Sequence, residues 1–141
     1  MQGVMILMDL DNFKSINDQL GHMEGDLVLK KFAEILKTQF RTSDIVARLG
    51  GDEFIVFLPN FISKAGLETK IDHTLSIIRQ ELSSYYEQYN LSVSIGIAYL
   101  GGNNKTYEDL YQSADDAMYT AKRGGKNGYF LGDYQTKDKD A

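Results

Sequence analysis

The first pattern along the chain is a short apolar run, Val4 to Met8, that ends in Asp9-Leu10-Asp11. Such a run without alternation reads as a strand buried on both faces, with carboxylates at its C-terminal end. Phe13, Ile16 and Leu20 then recur at helical spacing until Gly21 breaks the pattern. Leu27, Phe32, Ile35, Leu36 and Phe40 predict one stripe of a longer helix starting near Gly25-Asp26. Asp44 to Arg48 and Glu53 to Leu58 are β-like runs around Leu49-Gly50-Gly51-Asp52, where paired glycines allow the positive φ angles of a tight hairpin. Pro59 ends the second arm, and Leu67, Ile71, Leu75, Ile78 and Leu82 predict an amphipathic helix from Ser63 to about Gln88, interrupted near Gly66. Leu91 to Tyr99 alternates and is rich in Val and Ile, which predicts another strand. After a loop at Gly101 to Lys105, Leu110, Ala114, Ala117, Met118 and Ala121 form one face of a helix from Thr106 to Gly124-Gly125. Tyr129 to Leu131 reads as a final edge strand.

The resulting order, β-α-β-β-α-β-α with a small strand at the end, is the split βαβ arrangement of ferredoxin-like folds. An α+β domain is expected, its sheet antiparallel or mixed and its helices packed on one face. The length of 141 residues suits one domain. It is expected at residues 1–131, with residues 132–141 a polar, charged, disordered tail.

Composition narrows the chemistry. A net charge of −5 argues against a surface that neutralises a nucleic-acid backbone, so neither DNA nor RNA is an expected partner. There is no cysteine and there are only two histidines, which excludes disulfides and thiolate metal sites and leaves hard oxygen ligands. No apolar run is long enough to span a bilayer, and MQGVMILMDL lacks the marks of a signal peptide. A cytoplasmic domain without membrane contact is expected. The apolar run begins almost at residue 1, which reads as a fragment cut at a domain edge.

In this topology the end of the first strand lies beside the central hairpin, so Asp9 and the turn Asp52-Glu53 converge from distant parts of the chain. Carboxylates brought to one point repel unless a divalent cation sits between them, and Mg²⁺ takes carboxylate oxygens at about 2.0 to 2.1 Å together with substrate phosphates. Gly51-Asp52 alone would read as a solvated turn. Joined to Asp9 and Asp11, it reads as a metal site.

Arg48-Leu49-Gly50-Gly51-Asp52-Glu53-Phe54 resembles the signature of the GGDEF family of diguanylate cyclases. The resemblance extends to Asp9-Leu10-Asp11-Asn12-Phe13-Lys14-Ser15-Ile16-Asn17-Asp18 with Gly21-His22 and Gly25-Asp26, to Ser94-Ile95-Gly96, and to Ala121-Lys122-Arg123-Gly124-Gly125-Lys126-Asn127. Several ordered motifs over nearly the whole chain make it specific. It implies the palm-like core of nucleotidyl cyclases and a cofactor of Mg²⁺ or Mn²⁺, two ions per active half-site.

Carried onto this chain, the resemblance implies that Asp9 and Asp52 ligate the metals, helped by the Leu10 carbonyl. Glu53 is a further metal ligand or the acceptor of the attacking hydroxyl's proton, and both roles stay open. The backbone of Asn12 and Phe13, opening a helix, would hold the β and γ phosphates. Asn17 and Asp26 resemble a guanine-reading pair, a carboxylate suiting the donor edge that adenine lacks. His22 lies in a glycine turn near the nucleotide and is expected to order it. Lys122 and Lys126 would neutralise the terminal phosphates. Position 126 is often Arg in the family, and Lys keeps the charge while losing the bidentate fork. Arg41-Thr42-Ser43-Asp44 resembles the family's RxxD inhibitory site for its product, c-di-GMP, through Arg41 and Asp44.

The function implied is condensation of two GTP into c-di-GMP with release of two pyrophosphates. Each chain holds one GTP, so an antiparallel homodimer is required, and an upstream regulatory domain is expected in the full-length protein. No heptad helix is evident, which predicts weak or no activity of the isolated domain at low concentration. The segment that usually precedes the first strand in the family, with its DxLTGLxNR motif, is absent, and the expected consequence is lower stability, an open apolar surface or an altered N-terminal arrangement between chains. Competing readings are a non-catalytic receptor for GTP or c-di-GMP and a related palm-like polymerase or nucleotide cyclase.

Overall fold

Helices pack on both faces of the sheet, because its central strand is apolar on both sides. The computed structural model describes residues 3–60 and 63–132. Strand β1 (Val4–Asp11) lies in the middle of a five-stranded mixed sheet of order β2-β3-β1-β4-β5. It pairs antiparallel with β3 (Glu53–Leu58) and β4 (Ser92–Tyr99). β2 (Ile45–Gly50) pairs antiparallel with β3, and the short β5 (Gly128–Leu131) lies parallel beside β4. The α+β class and the mixed sheet agree with the sequence pattern.

The two faces follow from the two-residue period of a strand. Val4, Ile6, Met8 and Leu10 point into a large core formed with α1 (Phe13–Leu20), α2 (His22–Gln39) and α3 (Lys64–Glu81). Met5 and Leu7 point the other way, into a second cluster with Leu110, Ala114 and Met118 of α5 (Tyr107–Arg123). Helices on one face alone would leave that second set in water. Phe32 of α2 meets Phe54 of β3 edge to face, with ring centroids 4.8 Å apart. Gly96 is where β4 and α5 touch: a Cβ there would come within 2.1 Å of the Ala114 carbonyl oxygen.

Other expectations shift. β1 runs on through Asp11, so Asp9 is a ladder residue rather than the first residue past a strand. α2 starts at His22 and turns Leu27 outward, 58% exposed; Val28, Leu29, Phe32, Ile35 and Leu36 form the buried stripe at the three- and four-residue helical spacing. The long helix is not interrupted at Gly66, whose N–H is capped by Ser63 Oγ at 3.0 Å in the first turn. It breaks at Leu82, and the remainder is α4 (Ser83–Tyr89). Asp44 belongs to the turn before β2, not to the strand. Of the expected tail, Gly132 donates its N–H to the Ile97 carbonyl at 2.7 Å, and residues 133–141 lie outside the described residues. Beside β2 on the α5 face, an apolar groove of about 480 Å³ is lined by Met5, Ile45, Leu49, Phe57, Leu100 and Tyr107 among others. No helix among the described residues is long and apolar enough to cross a membrane.

Candidate active site

Asp9 and Glu53 are register partners across β1 and β3. Directly opposed residues of an antiparallel pair project to one face, with Cβ atoms about 5 Å apart. That face is the one covered by α5. The β2–β3 turn is drawn onto the end of β1, since the Leu10 N–H donates to the Asp52 carbonyl at 3.3 Å. Within the turn Gly51 has φ 50°, and Arg48 Nε donates to its carbonyl at 2.8 Å. Asp9, Asp52 and Glu53 are thereby brought together from positions forty-odd residues apart in sequence.

Lys122, in the last turn of α5, forms an ion pair with Asp9 Oδ2 and lies 3.9 Å from Asp11 Oδ1. Burial alone would lower the Lys122 pKa, but its bond to Asp9 and the fields of Asp9, Asp11 and Asp52 raise it, so the ammonium is held charged. Asp52 is pushed up to about 6, first by burial and then by sharing a hydrogen bond and a like charge with Asp9. Glu53 is also raised, chiefly by burial, which a hydrogen bond from Tyr111 Oη at 3.1 Å partly offsets.

Asp11 is more deeply enclosed than sequence reasoning assigned. It accepts from Ser92 Oγ at 2.7 Å, from Ser94 Oγ at 2.8 Å and from the Asn127 N–H at 3.3 Å. The bond to Asn127 fastens the loop after α5 to the end of β1. Sequence reasoning gives Ser92 and Tyr111 no site role, and Ser94 enters there only as part of the Ser94-Ile95-Gly96 motif. A signal for the serines was present: they alternate at two-residue spacing in an otherwise apolar strand, as Asp9 and Asp11 do opposite them.

The nucleotide residues implied by the resemblance lie on α1, at the start of α2 and in the last turn of α5 with the loop after it. Asn12 caps α1 from a left-handed conformation, φ 63°, and turns its amide away to the Asn90 carbonyl at 2.8 Å. The first N–H groups of α1 carry no side-chain cap. The Phe13 side chain is in the core, so only its backbone faces the site. The Asn17 amide lies over Gly25, where a Cβ would meet its Oδ1 at 1.9 Å, one residue before the exposed Asp26. His22 is exposed and opens α2 instead of sitting in a free turn. Lys126 follows α5 with φ 65° and shares a cleft of about 350 Å³ with Asn12, Arg79 and Asn127.

Arg41 and Asp44 lie elsewhere, in the turn between α2 and β2. The Arg41 N–H donates to Asp44 Oδ2 at 2.9 Å, and both residues line a cleft of about 280 Å³ with Phe40, Leu67 and Lys70. Asp44 Oδ1 is buried with no hydrogen-bond donor among the described residues.

The carboxylates suit a hard cation. Asp9 Oδ1 is buried without a donor among the described residues, and the like charge of Asp9 is among the causes that raise the Asp52 pKa. Among the described residues no three acidic, histidine or cysteine side chains form a ready cage. Two carboxylates completed by backbone, water and phosphate are what Mg²⁺ commonly accepts. Lys122 would have to yield Asp9 Oδ2 as the cation entered.

Comparisons with known proteins agree with this fold and with the family resemblance. The family model described as "Diguanylate cyclase, GGDEF domain" matches residues 1–128. The chain is 39% identical over 127 residues to diguanylate cyclase DgcS of Shewanella oneidensis, covering 90% of this chain and 41% of that protein. It is 40% identical over 124 residues to diguanylate cyclase DosC of Escherichia coli K12, covering 87% of this chain and 27% of that protein. The chain thus spans less than half the length of these curated relatives. The GGDEF domain of YfiN (TpbB) from Pseudomonas aeruginosa superposes with a TM-score of 0.80 at 37% identity, covering 94% of this chain and 83% of that one. The GGDEF domain of DgcB from Caulobacter crescentus, solved in complex with c-di-GMP, does so with a TM-score of 0.74 at 28% identity, covering 92% and 77%.

Proposed function

The chain belongs to the GGDEF family of diguanylate cyclases, and from that premise we propose that it condenses two molecules of GTP into c-di-GMP. The observation that carries this reading is the meeting of Asp9, Asp52 and Glu53 beneath the Lys122 ammonium. A site that only bound nucleotide would have no need to crowd three carboxylates there at the cost of raising two of their pKa values.

In each of two reactions the 3′-hydroxyl of one GTP attacks the α-phosphate of the other. A new P–O bond forms, the bond to pyrophosphate breaks, and the hydroxyl's proton passes to Glu53 or to water. Mg²⁺ would be held by Asp9, Asp52 and the Leu10 carbonyl, with Glu53 either a further ligand or the acceptor of the hydroxyl's proton, and would neutralise phosphate charge and lower the hydroxyl's pKa. Lys122 would exchange its bond to Asp9 for the phosphates, with Lys126 beside it. The uncapped start of α1 at Asn12 and Phe13 offers N–H groups to the same phosphates. Asn17 and Asp26 read guanine, and His22 at the start of α2 borders them.

One chain presents one such half-site, so two chains face each other antiparallel. Arg41 and Asp44 bind the product and inhibit. Their support is the cleft they line together. The domain works in the cytoplasm under an upstream regulatory domain, in keeping with relatives more than twice its length. Incubation with GTP and Mg²⁺ followed by product identification tests the reading, with Asp52→Ala as control. GTP left intact by the wild type, with c-di-GMP still bound, would make the chain a receptor instead.

A further inference from the structure

Helix α5 reaches the catalytic turn twice. Tyr111 and Lys122 are eleven residues apart, about three turns, so they lie on the same side of the helix with their backbones about 16 Å apart. Each long side chain leans inward and takes one of the two opposed carboxylates: Lys122 takes Asp9, and Tyr111 Oη donates to Glu53 Oε1 at 3.1 Å. Ala114 and Met118, between them, are packed against the sheet, which fixes the helix from which both reach. The Tyr107 ring stacks on Tyr111, with centroids 6.1 Å apart and planes inclined by 26°, and restricts the swing of the phenol.

We propose that Tyr111 is a positioning residue for Glu53: by engaging Oε1 it fixes the carboxylate's orientation and leaves Oε2 as the atom available to a divalent cation or to the reacting hydroxyl. The inference rests on the cyclase reading in that the reaction gives Glu53 its work. A lone carboxylate at a hairpin turn samples several rotamers, and every one but the productive orientation slows the chemistry. The hydrogen bond selects among them without touching substrate.

The test is Tyr111→Phe, which keeps the ring and its stacking on Tyr107 and removes only the hydroxyl. Four quantities are compared with wild type: Mn²⁺ affinity by electron paramagnetic resonance, kcat, KM for GTP, and melting temperature. The expected result is Mn²⁺ binding and kcat each weakened about three- to tenfold, the size of one ordinary hydrogen bond. KM and melting temperature stay as in wild type, and excess metal restores part of kcat. Unchanged Mn²⁺ affinity and kcat would overturn the proposal, as would a loss that excess metal does not touch and that follows a fall in melting temperature. A wild type that binds Mn²⁺ but forms no c-di-GMP would overturn the cyclase reading, while the Mn²⁺ comparison would still decide the role of Tyr111.

Discussion

The ammonium of Lys122 and the carboxylate of Asp9 meet in an ion pair that ties the last turn of α5 to the central strand, across 113 positions of sequence. The same ammonium stands 3.9 Å from Asp11. Lys122 therefore supplies to Asp9 and Asp11, before any ligand arrives, the kind of positive charge that a metal ion would bring.

Replacing Lys122 by Met is expected to destabilise the unligated domain by about 1 to 3 kcal/mol, because Asp9 and Asp11 lose their cation in a partly buried site. Thermal unfolding measures this. Added Mg²⁺ is expected to raise the melting temperature of the variant more than that of wild type, since the cation restores the missing positive charge.

Asp52 sets a pH dependence of two opposite signs. Its folded value of about 6 lies above the ordinary 3.8, so folding disfavours its charged form. Stability of the unligated domain is expected to fall as pH rises from about 4 to about 6, and Asp52→Asn to remove that fall, by about 1 kcal/mol once solvent screening is allowed for. Metal binding needs the ionised carboxylate. Mn²⁺ affinity is therefore expected to drop as pH falls below about 6, and titration calorimetry at several pH values checks both the slope and the proton released.

Gly96→Ala tests the packing that supports α5. The added methyl would meet backbone, the Ala114 carbonyl at 2.1 Å and the Met118 N–H at 2.3 Å, and neither can swing aside as a side chain could. A loss of about 3 kcal/mol is expected, seen as a lower denaturation midpoint. Because Tyr111 and Lys122 ride on the same helix, metal affinity is expected to fall with it.

Arg41→Ala is expected to weaken binding of c-di-GMP about tenfold or more, since a charge-assisted contact to phosphate is lost from the cleft beside Asp44. Equilibrium binding measures this directly. An unchanged affinity would place product binding elsewhere.

Much of this was legible in the sequence, for local reasons. The order of elements follows from apolar spacing, and the hairpin follows from Gly50-Gly51. The meeting of Asp9 with the turn follows from topology once the strand order is known. What escaped was set by contacts between distant elements. The pattern in β1 from Val4 to Met8 says only that both faces are buried, not that α5 covers one and α2 with α3 the other. Leu27 matches a helical stripe as well as Val28 does, and only the true start of α2 at His22 decides which faces inward. Tyr111 looks like any aromatic residue on an amphipathic helix until β3 places Glu53 beneath it. Asp11 reads as a partner of Asp9 until Ser92 and Ser94 enclose it.

The central claim is that the acidic centre of Asp9, Asp52 and Glu53 is half of a cyclase site that two chains complete. The measurement that tests it most directly is c-di-GMP formation from GTP and Mg²⁺ over a wide dilution series, with Asp52→Ala alongside. The expected result is c-di-GMP whose initial rate per chain rises with protein concentration, and none from the variant. A rate per chain that stays constant on dilution, or GTP left unconverted at every concentration, would contradict it.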